Sequence, residues 1–291
     1  MIPFSLWMVI AMMLWGTGWP VLKILTENVS WEVATFWRLL LMSIAFIPIL
    51  WWKKKPLRLP KPSWIWVGIS GLLYALYMAL AFWGIKLATA GAGGMIMTTL
   101  SPILTSILVL IFIRSRTSSH HTIGLGLGLI GGMIMLEVWN GDLLTNNGNL
   151  IIVLAALAWS AISVLAQYSH NHLDPILYTF FLGLSGTVFM FFVAFPHGIL
   201  QVFDQGIRFW GALLYLAILA QTMASTIYFI ASSKIGSQKA SSYMLLVPIF
   251  SLISSYLLLD EIPSLSLLIG GGISIFAVYW INRSKSIPAN G

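Results

Sequence analysis

The stretch Trp15-Gly16-Thr17-Gly18-Trp19-Pro20 lies inside an apolar run from Phe4 to Leu25. A run of about 20 apolar residues is long enough to cross a bilayer as one helix. Glycine, threonine and proline in such a helix are tolerated only where neighbouring helices, hydroxyls or water satisfy the freed backbone groups. We therefore expect this helix to face protein or a cavity rather than lipid.

Trp15 and Trp19 are four residues apart and lie on one face of the predicted helix. Tryptophan is enriched at the membrane interface, whereas Trp15 falls near the middle of the span. Two interpretations remain open. The ring packs between helices, as aromatic side chains commonly do, or it forms the aromatic wall of a substrate pathway.

The composition is that of a polytopic membrane protein. Of the 291 residues, 59% are hydrophobic and 8% are charged, whereas soluble domains carry about 25% charged residues. The absence of cysteine excludes disulfides, thiol catalysis and cysteine-ligated metals. The first apolar run is too long for the core of a signal peptide and lacks a basic leader, so we interpret it as a retained first helix.

Ten membrane-spanning helices are predicted from the apolar runs, which are joined by short polar or basic connections. They cover approximately residues 4–25, 31–52, 64–84, 92–113, 122–137, 150–168, 175–195, 209–232, 240–259 and 264–281. The predicted fold class is therefore an all-α polytopic membrane protein. Its two halves, residues 1–142 and 149–291, contain five helices each.

Positive charges set the predicted orientation, because lysine and arginine are concentrated in cytoplasmic loops. With the N-terminus in the cytoplasm, only Lys23, Lys86 and Arg208 face outward, and Arg38 lies inside a span. The other basic residues face inward: Lys53, Lys54, Lys55, Arg58, Lys61, Arg114, Arg116, Lys234, Lys239, Arg283 and Lys285. Both termini are thus expected in the cytoplasm, in a cell (inner) membrane, and the formal charge of +7 reflects topology rather than nucleic-acid binding.

The two halves resemble each other at three places in nearly constant register. The paired stretches are AMMLWG (11–16) with AALAWS (155–160), LSPI (100–103) with LVPI (246–249), and IGLG (123–126) with IGGG (269–272). Five spans is an odd number, so the second half enters the membrane from the opposite side. Inverted repeats are typical of secondary transporters, whose solute site lies near the midplane at the repeat interface. Pro102 and Pro248, in matching helices, are candidate hinges together with Gly16 and Pro20.

These features resemble the drug/metabolite transporter superfamily, and in particular its EamA-type exporters. The resemblance rests on the two five-helix repeats, the Trp15-Gly16 start, Arg38 in helix 2, Leu100-Ser101-Pro102 and the Asp260-Glu261-x-Pro263 corner, and it covers essentially the whole chain. It implies a basket of helices 1–4 and 6–9 around a central cavity, with helices 5 and 10 at the periphery. It also implies export of small metabolites, among which amino acids are prominent.

The chain departs from the family pattern at one place. The family often carries a Gly-Glu pair after helix 4 as well as after helix 9, whereas this chain has Arg114-Ser115 there. Any role of that acid is therefore left to Glu261 alone.

Arg38 is the only basic residue well inside a predicted span. A charge at that depth costs about 2.5–3.5 kcal/mol on insertion scales, so it should face the protein interior or water and have a partner. One interpretation is structural, with the side chain reaching outward or binding helix-end carbonyls. The other is an anchor for a substrate carboxylate. Lys23 and Glu32 are possible neighbours.

Aromatic and uncharged polar side chains cluster on the helices expected to line the cavity. Together with Arg38, the candidate substrate-binding residues are Trp15, Trp19, Tyr74, Tyr77, Ser101, Trp159, Ser163, Gln221, Ser225, Tyr228 and Tyr243. The alternative is that hydroxyls and amides hold helices together, each contributing about 0.6–2 kcal/mol. A lining of this kind suits an uncharged or zwitterionic solute with an apolar side chain.

Two further motifs have structural interpretations. Gly124, Gly128 and Gly132 form a small-residue ridge on helix 5, which predicts close packing with helix 10 and, as an alternative, a dimer contact in a chain otherwise expected to be monomeric. His170-Asn171-His172 offers too few ligands for a metal site. The sequence contains no recognisable nucleophile–base pair, phosphate loop or cofactor motif, so no catalytic residue, metal or cofactor is predicted.

The predicted function is export of small metabolites by alternating access, with amino acids bearing aromatic or other apolar side chains as the solutes. The expected partners are this solute and the lipid bilayer. A drug or nucleoside exporter is the alternative within the same class. A membrane enzyme and a non-transporting scaffold are alternatives of another class. Against a membrane enzyme stands the lack of an intramembrane cluster of His, Asp or Glu in the sequence. A scaffold would leave the internal repeat and the paired prolines unexplained.

Overall fold

The computed structural model describes residues 4–26, 29–55, 57, 63–87, 90–114, 118–140, 147–169, 173–259 and 264–283. Within these ranges the secondary structure is helical, without a strand. The continuous helices are α1 (Phe4–Thr26), α2 (Trp31–Trp52), α3 (Ser63–Leu87), α4 (Ala90–Leu108), α5 (Ser119–Met135), α6 (Asn147–Ser169), α7 (Pro175–Ala194) and α10 (Leu265–Arg283).

Three helices change their hydrogen-bonding register. A π-helical turn, Val109–Ile113, continues α4. Helix α8 consists of Ile207–Leu214, a π-helical segment Tyr215–Met223, and Ala224–Ile235. Helix α9 consists of Ser237–Ser242, a 3-10 turn Tyr243–Leu246, and Val247–Leu259.

Among the residues that the structure describes, eight helices are long and apolar enough to cross a membrane, which makes this a multi-pass membrane protein. These spans are Phe4–Leu22, Trp31–Trp52, Ser63–Ile85, Gly94–Ile113, Asn147–Ser169, Pro175–His197, Ile207–Ile235 and Leu265–Arg283. Helix α5 has only 17 residues, and α9 is divided by its 3-10 turn. The ten-span arrangement therefore stays a prediction.

Two connections predicted as irregular contain helical structure. The segment 197–208 begins with two 3-10 turns, Phe195–His197 and Ile199–Asp204, and Trp37 Nε1 donates to the Ile199 carbonyl at 2.7 Å. The segment 234–239 is helical on both sides of Gly236, whose φ of +84° suits glycine. The Ser237 backbone N–H and hydroxyl each donate to Gln167 Oε1 at 2.7 Å, so a side chain of α6 caps the start of α9.

Packing mixes helices of the two halves. Helix α1 packs on α8 and α9, α3 packs on α6 and α7, α4 packs on α6, and α2 packs on α7 and the π-helical segment of α8. Helices α5 and α10 pack on each other. At their crossing a Cβ on Gly131 would lie 2.8 Å from the Gly270 carbonyl oxygen, so the helices approach backbone to backbone.

An ion pair joins the ends of α2 and α7. Lys55 Nζ lies 2.7 Å from Asp174 Oδ2, and Asp174 Oδ1 accepts the Ile176 N–H at 2.9 Å as the N-cap of α7. Partial burial raises the pKa of the Asp174 carboxyl, but the hydrogen bonds from Lys55 and Ile176 outweigh it and lower that pKa below its ordinary value. The carboxylate is therefore ionised at neutral pH and fixes the angle at which α7 begins.

Candidate functional site

A cavity lies where α1, α2, α3, α4, α6, α8 and α9 converge. It leaves about 70 Å³ for the centre of a water molecule to move in, inside an envelope of about 670 Å³. Its lining residues are Trp15, Gly18, Trp19, Leu22, Arg38, Tyr77, Met78, Ala81, Phe82, Ile85, Met97, Thr98, Trp159, Ala220, Gln221, Met244 and Val247. The lining is largely apolar and aromatic, with one cation and a few hydrogen-bonding groups.

Two glycines beside the cavity, one in α1 and one in α4, stand where a side chain would meet a neighbouring helix. A Cβ on Gly16 would lie 2.5 Å from Phe250 Cβ and 2.7 Å from the Val247 carbonyl oxygen. Gly16 is therefore a contact point between α1 and α9. On the other side, a Cβ on Gly94 of α4 would lie 3.0 Å from the Trp19 ring, so this glycine makes room for the indole.

The π-helical segment of α8 explains how Trp15 is held. The Ala224 N–H reaches back five residues to the Leu219 carbonyl, after which α-helical pairing over four residues resumes. This change of register leaves the Ala220 carbonyl outside the backbone ladder. Trp15 Nε1 donates to that carbonyl at 2.8 Å. The indole thus satisfies a polar group that the helix leaves unpaired, while its ring lines the cavity.

Trp159 of α6 is the centre of an aromatic wall. Its ring centroid lies 5.2 Å from Trp15, 5.1 Å from Tyr77, 5.4 Å from Tyr228 and 6.4 Å from Tyr74. Edge-to-face and tilted contacts at these distances are favourable for aromatic rings. Four helices, α1, α3, α6 and α8, are therefore joined through one indole.

A second layer of hydrogen bonds supports this wall. The Tyr228 hydroxyl lies 2.8 Å from Ser163 Oγ, which also donates to the Trp159 carbonyl at 3.0 Å. The Tyr178 hydroxyl donates to Ser70 Oγ at 2.9 Å. Both tyrosines are fully buried. These hydrogen bonds therefore fix the rings and leave the wall little freedom to repack.

Arg38 brings a cation to the cavity. No Asp or Glu lies within ion-pair distance of it among the residues that the structure describes. The Tyr74 and Tyr77 hydroxyl groups are close enough to interact with it electrostatically. Its Nε atom is buried and makes no hydrogen bond to any described residue. Glu32, considered above as a neighbour, instead lies 3.6 Å from His197.

The structure distributes the predicted site residues over three positions. Those that line the cavity are Trp15, Trp19, Arg38, Tyr77, Trp159 and Gln221. Those that are buried and do not line the cavity, although two of them belong to the aromatic wall around Trp159, are Tyr74, Ser163, Ser225 and Tyr228. Ser101 and Tyr243 do not line the cavity. Ser101 donates to the Met97 carbonyl at 2.6 Å and its own carbonyl accepts from Ser160 Oγ at 3.0 Å, which places it at the crossing of α4 and α6.

The predicted hinges all lie in helical backbone. Pro20 and Pro102 are inside α1 and α4, and Pro248 is the second residue after the 3-10 turn of α9. Pro48, inside α2, is a further helix proline that the repeat comparison missed because it has no counterpart in the second half. Glu261 and the His170-Asn171-His172 turn lie outside the described residues.

Sequence reasoning also missed Ala220 and the apolar residues Phe82 and Met97. No side-chain pattern distinguishes Ala220, because its contribution is a carbonyl released by the π-helical register. No group of three or more His, Cys, Asp or Glu that could hold a metal occurs in the part of the chain that the structure describes. The cavity offers a cation, an amide and aromatic faces, a set of groups suited to binding a small molecule.

The chain is similar to known proteins over nearly its whole length. A sequence profile of the EamA-like transporter family matches residues 3–136 and 146–283. The uncharacterized transporter YoaV of Bacillus subtilis is 22% identical over 93% of both chains. An uncharacterized transporter of Archaeoglobus fulgidus is 25% identical, covering 93% of this chain and 94% of the relative.

Two further comparisons agree with these. A chloroplastic WAT1-related protein of Arabidopsis thaliana is 27% identical over 92% of this chain and 66% of its own length. A solved crystal structure has the same fold, with a TM-score of 0.77, 20% identity and coverage of 96% of both chains. The convergent helices, the cavity and the profile match lead to one conclusion: the chain belongs to the EamA-like transporter family, within the drug/metabolite transporter superfamily.

Proposed function

We propose that the protein exports small carboxylate-bearing metabolites by alternating access, and that amino acids with aromatic or other apolar side chains are its solutes. The observation that carries the proposal is Arg38. It is a cation in an aromatic cavity, without an acidic partner among the described residues. A substrate carboxylate would supply the missing charge and form charge-assisted hydrogen bonds with the guanidinium.

The remaining lining suits the rest of such a solute. The rings of Trp15, Trp19 and Trp159 and the side chains of Met97 and Phe82 face the cavity and offer apolar surface. Gln221 offers an amide that hydrogen-bonds an ammonium or hydroxyl group. Small-molecule sites commonly combine an apolar wall with a few placed polar groups.

Alternating access in this proposal is carried by two inverted repeats of five spans each. The helix packing is consistent with this symmetry. The contact of α1 with α9 corresponds to that of α6 with α4, and the contacts of α2 with α7 and of α5 with α10 map onto themselves. Two repeats related by a two-fold axis produce such an exchange, and an axis in the membrane plane is the arrangement found in many secondary transporters. In this arrangement both termini lie on the cytoplasmic side of the cell (inner) membrane.

Transport by purified protein in proteoliposomes tests the proposal. We expect flux of phenylalanine and leucine, and much slower flux of phenylalaninamide, which lacks the carboxylate. Arg38→Gln should lower phenylalanine flux roughly tenfold or more, because hydrogen bonds to charged groups contribute about 1.5–3 kcal/mol. Arg38→Lys should restore part of it, since the charge returns without the bidentate geometry.

Arg208→Gln is the matched control. It removes the same charge from an exposed residue near the start of α8, away from the cavity, and should leave the flux unchanged. Nucleosides and lipophilic cations complete the panel, with and without a pH gradient. Equal phenylalanine flux in wild type and Arg38→Gln would refute the role of Arg38. Gradient-driven flux of cations in place of amino acids would assign the protein to the drug-export alternative.

A further inference from the structure

A second concave surface lies at the end of α2, away from the central cavity. This groove leaves about 660 Å³ for the centre of a water molecule to move in, and its lining includes Ile47, Leu50, Trp51, Lys54 and Phe180. Leu50 and Phe180 are buried and form its floor. Trp51 is 84% exposed and Ile47 is 59% exposed. The groove is thus an apolar slot, open at the surface of the molecule, with lysine at one end.

The backbone at that end has an unusual residue. Helix α2 finishes in a Schellman motif, in which the Lys55 N–H donates to the Leu50 carbonyl at 3.0 Å and the Lys54 N–H to the Trp51 carbonyl at 3.1 Å. Lys54 occupies the left-handed position of the motif with φ +49°. Glycine is the usual residue there, because a side chain costs roughly 1–2 kcal/mol in this conformation.

Lys54 differs from the lysines on either side of it in the partner that its charge has. Lys55, which also lines the groove, is paired with Asp174 at 2.7 Å. Lys53 lies over the Trp52 ring at 5.5 Å. Lys54 has no ion pair with a described residue. Lys54 is therefore a lysine in a strained conformation, next to an apolar slot, whose ammonium group has no anionic partner among the described residues.

We infer that this groove binds one anionic phospholipid of the leaflet at which α2 ends. One of its acyl chains lies along Ile47, Leu50 and Phe180, and its phosphate contacts the Lys54 ammonium. Basic residues near a membrane surface attract anionic lipids by about 1 kcal/mol each, and tryptophans such as Trp51 and Trp52 prefer the headgroup level. The distribution of lysine and arginine predicts that this leaflet is the cytoplasmic one.

Native mass spectrometry of the purified protein tests this site, by titration with phosphatidylglycerol and with phosphatidylcholine of identical acyl chains. The informative variant is Lys54→Gly, because glycine fits the left-handed conformation and the fold is retained while the charge is lost. Lys234→Gln removes the same charge at the end of α8 and serves as the control. Trp51→Ala removes apolar wall and keeps the charge.

The wild-type protein should retain one phosphatidylglycerol more tightly than phosphatidylcholine. Lys54→Gly should weaken that affinity about fivefold, Lys234→Gln should leave it unchanged, and Trp51→Ala should weaken retention of both lipids. Equal retention of the two lipids by wild type, or unchanged phosphatidylglycerol affinity in Lys54→Gly, overturns the inference. Displacement of the lipid by soluble glycerol phosphate would also overturn it, because the site would then be one for free phosphate. None of these results depends on which solute is transported.

Discussion

Trp15 combines two roles in one side chain. Its ring lines the cavity, and its Nε1 satisfies the Ala220 carbonyl at 2.8 Å. The two interpretations that the sequence leaves open, a packing residue and a pathway wall, are therefore compatible. A residue with both roles couples the shape of the cavity to the register of α8.

Trp15→Phe separates these roles, because phenylalanine keeps an aromatic ring and lacks the N–H. We expect the variant to lose about 1 kcal/mol of stability, since a buried carbonyl without a partner costs about 1–3 kcal/mol and neighbouring groups in the membrane recover part of this. Thermal unfolding in detergent measures the change. Transport should fall as well.

Trp83→Phe is the control for this experiment, because the Trp83 ring is 51% exposed. Its unfolding temperature should stay at the wild-type value. If both variants unfold at the same temperature as wild type, the hydrogen bond from Trp15 to α8 contributes nothing to stability.

At the scale of elements, the contact between α1 and α9 depends on glycine at position 16, which has no side chain. Gly16 brings α1 against the Val247 carbonyl and Phe250, and both helices contribute lining residues on either side of that crossing. Small residues permit such approach between membrane helices, where packing rather than hydrophobic burial holds helices together.

Gly16→Ala should separate the two helices, because the new Cβ would lie 2.7 Å from the Val247 oxygen. We expect a loss of about 1–3 kcal/mol in stability, typical of overpacking, together with reduced transport. Gly126→Ala is the matched control in α5, where an added Cβ meets nothing within 4 Å. Alanine there should be neutral or stabilise the helix by up to about 1 kcal/mol. Denaturant unfolding in micelles compares the two, and equal midpoints would contradict the packing role of Gly16.

At the scale of the whole molecule, the inverted repeat makes a prediction about sidedness. Helices α2 and α7 hold corresponding positions in the two halves, so their C-terminal ends should lie on opposite faces of the membrane. The chain has no cysteine, so a single introduced thiol reports its position without a background signal.

Lys53→Cys, at the end of α2, and Leu200→Cys, after the end of α7, are both exposed positions for this test. A membrane-impermeant maleimide added to intact cells should label Leu200→Cys and leave Lys53→Cys unlabelled. Everted vesicles should give the reverse pattern, and the cysteine-free parent should stay unlabelled in both. Labelling of both positions from one side would rule out inverted five-span halves.

The sequence by itself determined that this is an all-helical membrane protein. The apolar runs predicted an all-helical membrane protein, and the observed α2, Trp31–Trp52, has the predicted bounds. Hydropathy has this power because every backbone group in the bilayer must be paired within its own segment. The order and spacing of the motifs along the chain were also enough to indicate the family, although each motif is weak on its own.

Only the tertiary structure decided which side chains share the cavity and which partner each one has. The bond from Trp15 to Ala220 joins residues 205 positions apart, and it depends on a π-helical register that no composition of α8 predicts. Glu32 contacts His197 rather than Arg38, while Ser101 lies at a helix crossing outside the cavity lining. The physical reason is that a polar side chain in a membrane helix forms its hydrogen bonds with groups on the helices that pack against it. Periodicity shows which face of a helix is polar, and packing alone determines what that face meets.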